Sequence, residues 1–142
     1  MKKVALALVL VLLGAIPGFT SDLSPSDVES ALRSALAKGG FKCTVAVKDY
    51  DKDGVLDIGI TYLSGNEDKP VAVLLGAITG GVGVLTEGLS WKCDKVLLVV
   101  SEHKGYHTTA SACRKCWRIH GQGGSDEDLG RCVLESWNEE EI

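Results

Sequence analysis

The chain has 142 residues, with 19 acidic and 15 basic side chains and five cysteines. A hydrophobic fraction of 45% excludes intrinsic disorder, and the length allows one small domain. Setting aside the first 21 residues removes Lys2 and Lys3 and no acid, leaving 13 basic against 19 acidic groups, net −6. That balance argues against nucleic acid and against an anionic membrane surface as partner.

The chain opens with a basic Met1-Lys2-Lys3, followed by the uncharged, apolar stretch Val4–Ile16. Pro17-Gly18 breaks the stretch, and the small residues Thr20 and Ser21 follow. This is the pattern of a secretory signal peptide over 1–21, leaving 22–142 as one mature domain. An uncleaved anchor is the alternative. Thirteen helical residues rise only about 20 Å, against a hydrocarbon core of about 30 Å. Export places the protein in the periplasm or outside the cell, where disulfides persist.

Ser24-Pro25-Ser26-Asp27 reads as a capped helix start. Val28, Ala31, Leu32, Ala35 and Leu36 recur at helical spacing, and Gly39-Gly40 ends the helix. Phe41, Cys43, Val45 and Val47 alternate with more polar residues and predict a strand. Leu56, Ile58, Ile60 and Tyr62 predict a second, antiparallel strand beyond the turn at Asp49–Gly54. A polar loop, Ser64–Pro70, follows.

Val71–Trp91 is apolar and glycine-rich and predicts a buried helix whose glycines let it sit tightly on the sheet. It lacks the Lys-Ser/Thr of a phosphate loop, and its apolar run of about 16 residues is short for a membrane span. Val96–Val100 predicts a central strand, and Tyr106–Thr109 a short fourth one. A C-terminal helical hairpin over about 110–138 closes the chain. Its helices are Ser111–His120 and, after the Ser125/Asp128 capping box, a second running to Asn138 with a frayed acidic end at Glu139–Glu141. The expected architecture is α+β, with a small, mainly antiparallel sheet of three or four strands packed by helices in the order α-β-β-α-β-β-α-α.

Two groups of residues carry chemistry. The first runs from Asp49 to Asp57 as D-x-D-x-D-G-x-x-D. Calcium takes six to eight hard oxygen ligands. Asp49, Asp51, Asp53, the Val55 carbonyl and Asp57 would supply them, with water completing the shell. These nine residues resemble the calcium loops of FG-GAP repeats in integrin-type propellers, and they are similar to the first half of EF-hand and dockerin loops. The flanking strands match the FG-GAP type. An EF-hand would carry a glutamate where Ile60 stands. A plain hairpin turn, with Gly54 at positive φ, explains the same residues without an ion.

The second group is Cys113-Arg114-Lys115-Cys116 with His120 and Cys132. As zinc ligands, Cys113, Cys116 and His120 would share a helix face, and Cys132 would complete a tetrahedron. As a redox motif, the CxxC would need its first cysteine at a helix N-terminus, and here it lies inside a helix. Haem attachment would need a histidine where Trp117 stands. As structural elements, Cys132 would bond to one CxxC cysteine, Cys93 would take the other, and Cys43 would stay a small core residue. His103 and His107, flanking a turn, read as solvated.

No Ser/His/Asp arrangement, acid–base carboxylate pair or cofactor fingerprint is present. The sequence therefore predicts an exported, non-catalytic binding or structural domain. Calcium is its first candidate cofactor and zinc its second, with no nucleotide or haem. Its partner would be a protein or surface that the sequence does not name. A thiol/disulfide redox protein or a zinc module is the alternative.

Overall fold

The computed structural model describes residues 23–63 and 70–141. The expected signal peptide and residues 64–69 of the polar loop lie outside the described residues. The first helix, α1 (Pro25–Lys38), starts with a reciprocal capping box. The Asp27 amide donates to Ser24 Oγ, and the Ser24 amide donates to Asp27 Oδ2, both at 3.1 Å. Two backbone donors that a helix start leaves unpaired are thereby satisfied. Val28, Leu32, Ala35 and Leu36 form its buried stripe.

Strands β1 (Cys43–Lys48) and β2 (Leu56–Tyr62) form the expected antiparallel hairpin around the aspartate loop. Helix α2 (Val71–Leu85) follows, and β3 (Cys93–Val99) then pairs with β2 in parallel. A parallel pair needs a long crossover, which α2 provides. Strand β4 (Lys104–Thr109) returns antiparallel to β3. Helices α3 (Ala110–Gly121) and α4 (Asp126–Ser136) come next, and β5 (Asn138–Glu141) pairs antiparallel with β4.

The fold is α+β, with a mixed sheet in sequential order β1-β2-β3-β4-β5. Three of its four strand pairs are antiparallel, so the sheet is mainly antiparallel as expected. Val45, Ile58, Ile60, Val96 and Leu98 are its buried apolar residues on the core side. Helix α1 packs on β1 and α3 on β3 and β4, while α2 is enclosed by α1, α3 and α4. Enclosure on several sides explains why α2 is apolar all round. No helix among the described residues is long and apolar enough to cross a membrane.

Two expectations need correction. The sheet has a fifth strand, because α4 stops at Ser136 and Glu139–Glu141 joins the sheet. Trp137 makes the turn: it is extended and buried, and its indole N–H donates to Thr79 Oγ1 at 2.8 Å. Lys104 then meets Glu139, and His107 meets Glu140, each at 3.3 Å. The glycines of α2 also serve a different contact. A Cβ on Gly83 would lie 2.9 Å from the Cys113 carbonyl oxygen and 3.0 Å from Trp117 Cβ, so this close approach is to α3, not to the sheet.

Candidate metal centre

The aspartate loop turns tightly because its own carboxylates hold its amides. Asp49 Oδ1 accepts from the Asp53 amide at 3.1 Å, and Asp49 Oδ2 accepts from Gly54 at 2.8 Å. Asp53 Oδ1 accepts from the Val55 amide at 2.9 Å. Gly54 sits at φ +86°, which an L side chain resists. The return strand brings Asp57 beneath the loop, where it is fully buried.

Asp57 is the anchor of the site. Its Oδ2 accepts from the Tyr50 amide and its Oδ1 from the Lys95 amide, both at 3.2 Å. One carboxylate thus joins the loop, β2 and β3. Burial pushes its pKa up, the two amides oppose this, and the negative charge of Asp51 adds to the rise.

Asp49, Asp51 and Asp57 each present a carboxylate oxygen, and these oxygens lie within 4.8 Å of one another. Calcium–oxygen distances of about 2.3–2.6 Å put opposite ligands about 4.6–5.2 Å apart, so the three oxygens suit one coordination shell. Of the expected ligands, Asp53 is outside this cluster and Val55 engages Asp53 through its amide. The Lys95 ammonium forms an ion pair with Asp51. This pairing is the largest cause holding the Asp51 pKa down, and it raises that of Lys95.

Lys95 is the participant that sequence reading missed. It is 44 residues from Asp51 and comes near only through the parallel β2–β3 pairing. The irregular register between Leu56 and Ile58 lies at this place. No local pattern marks it.

The cysteines take one of the expected forms. Cys116 and Cys132 are joined by a disulfide between α3 and α4. This selects Cys116 as the partner of Cys132 and consumes two of the four expected zinc ligands. The side chain of His120 lies outside the described part. The expected second bridge is absent, because Cys43, Cys93 and Cys113 are free thiols. Burial pushes the thiols of Cys43 and Cys93 up to about 11 and that of Cys113 up to about 12. A thiol this hard to ionise is a poor nucleophile at neutral pH, which sets Cys113 apart from the first cysteine of a redox CxxC.

No protein-family model matches the chain, and no curated protein or solved structure matches it. Its function must be argued from its own residues.

Proposed function

We propose that this is an exported, non-catalytic binding or structural domain whose aspartate loop takes calcium. The convergence of Asp49, Asp51 and Asp57 oxygens within 4.8 Å carries the proposal. Three carboxylates on one side are a hard-oxygen donor set, which suits calcium over softer metals. Calcium would replace the Lys95 ammonium as the charge facing Asp51. It would tie the β1–β2 turn to β3 through Asp57, stiffening that end of the sheet. With few ligands and a resident ammonium, affinity belongs in the weak range of extracellular modules, about 10⁻⁴–10⁻³ M.

The test is thermal unfolding with millimolar calcium, with magnesium, and with chelator. Calcium should raise the melting temperature, and Asp57→Asn should abolish the rise. Equal melting temperatures with calcium and with chelator would remove the ion and leave a plain hairpin. The redox alternative is tested by insulin reduction, where the wild-type protein should be inactive.

A further inference from the structure

The molecule has four arginines. Three are exposed, and each meets a carboxylate: Arg33 meets Glu29 at 4.0 Å, Arg118 meets Glu87 at 3.4 Å, and Arg131 meets Asp128 at 3.8 Å. Arg114 is the half-buried one, and it has no carboxylate partner among the described residues. This inverts the usual economy of charge, because a counter-charge matters most where water is scarce. Among the described residues its hydrogen-bond partner is neutral: Nη1 donates to Thr86 Oγ1 at 3.0 Å. Thr86 is itself buried, and its hydroxyl donates to the Val82 carbonyl at 2.7 Å, so the acceptor is fixed in place. A guanidinium has five N–H donors, and this contact uses one.

Arg114 lines a cleft of about 450 Å³ between the end of α2, the start of β3 and α3. That volume is within the range of small-molecule sites, about 300–1,000 Å³. Lys92 adds a second positive charge to the lining, and Glu87 and Asp94 add two negative ones. Cys93 also lines it and contributes none, because burial keeps its thiol protonated. The lining is therefore balanced overall, which disfavours a highly charged occupant. Glu87 is already directed to Arg118. Val55, Leu89 and Trp91 give the cleft an apolar wall, and the Trp91 indole is fixed by its N–H to the Leu23 carbonyl at 2.7 Å.

We infer that this cleft binds a small organic carboxylate, with the carboxylate on Arg114 and an apolar body against Trp91 and Leu89. A planar guanidinium matches a carboxylate with two parallel hydrogen bonds, and a preset guanidinium loses little freedom in forming them. The cleft borders the aspartate loop at Val55, but its binding group, Arg114, lies outside the Asp49, Asp51 and Asp57 cluster, and chelator keeps that cluster free of calcium in the test below.

The probes are 3-phenylpropionate, its neutral amide and inorganic phosphate. Each is titrated into ¹⁵N-labelled full-length protein in chelator. The carboxylate should shift the Thr86 amide, the Arg114 side chain and the Trp91 indole along one saturating curve in the millimolar range. Arg114→Gln should weaken this by about tenfold or more, and Arg114→Lys by less. The amide and phosphate should leave the three signals in place. Equal shifts with the amide, tighter binding of phosphate, or unchanged affinity in a folded Arg114→Gln protein would each overturn the inference. Should Arg114→Gln fail to fold, the carboxylate-against-amide comparison on the wild-type protein decides alone.

Discussion

Asp57 and Asp51 are neighbours whose protons respond in opposite directions. Burial raises the pKa of Asp57, so the folded protein holds a proton that the unfolded chain has released. Its contribution to stability is present at low pH and lost as pH rises from the ordinary aspartate value through the raised one. Asp51 is held low by the Lys95 ammonium, so its contribution is present above the ordinary value and lost as pH falls through the depressed one. Carboxyl ¹³C titration in chelator should place Asp57 above the ordinary range and Asp51 below it. An Asp57 value at or below the ordinary one would contradict this account. Lys95→Met removes the ammonium that competes with a metal. It should bring Asp51 back toward the ordinary value and tighten calcium binding several-fold, read by calorimetry. At this scale the sequence displayed the four aspartates, because they lie within nine residues. It hid Lys95, because strand register and not chain proximity supplies it.

Elements were legible where their causes are local. Ser24/Asp27 and Ser125/Asp128 each need only four residues to start a helix, and both capping boxes form as expected. The β1–β2 hairpin likewise follows from alternation and a tight turn. Contacts between elements carry no such local sign, and Gly83 is the case in point. Replacing a mid-helix glycine by alanine usually stabilises a helix by about 0.8–1 kcal/mol. At Gly83 the added methyl would press on the Cys113 carbonyl, which is backbone, at 2.9 Å. Helices α2 and α3 would have to part. Gly83→Ala is therefore expected to destabilise the fold, by about 1–3 kcal/mol in urea unfolding. Gly81→Ala meets the end of a side chain, Leu32 Cδ1, also at 2.9 Å, and should cost less. A more stable Gly83→Ala protein would show that the helices have room that the distances deny. The disulfide adds a second tie between elements, because Cys116 and Cys132 are 16 residues apart and hold α3 to α4. Replacing both with serine should cost about 3 kcal/mol, the loop-closure value for this span. Thiol titration of the unfolded, unreduced wild type should count three free groups.

The whole molecule depends on joins that are long in sequence. The parallel β2–β3 pair unites two antiparallel units across α2, and the last strand closes against β4 after two intervening helices. Alternation in β5 could not announce this, because Asn138–Glu141 has no apolar residue to alternate. Its position is set by the residue before it. Trp137 is 6% exposed and donates to Thr79 in the middle of α2, so the chain reaches the β4 edge from a fixed point. This separates two changes that affect the same end. Trp137→Ala removes a buried aromatic side chain and leaves Thr79 Oγ1 without the indole donor. It should cost about 3–5 kcal/mol. Ending the chain after Trp137 keeps that anchor and removes one short ladder with one exposed ion pair, Lys104–Glu139, and the contact between His107 and Glu140. An exposed pair of this kind contributes little, so the shortened protein should unfold at a temperature only slightly lower. It should instead change its association, since β4 then presents unpaired backbone groups along a free edge. Light scattering of the shortened protein should show concentration-dependent self-association absent from the full chain. A truncation that unfolds the domain as thoroughly as Trp137→Ala would mean that the strand, and not the tryptophan, holds this end together.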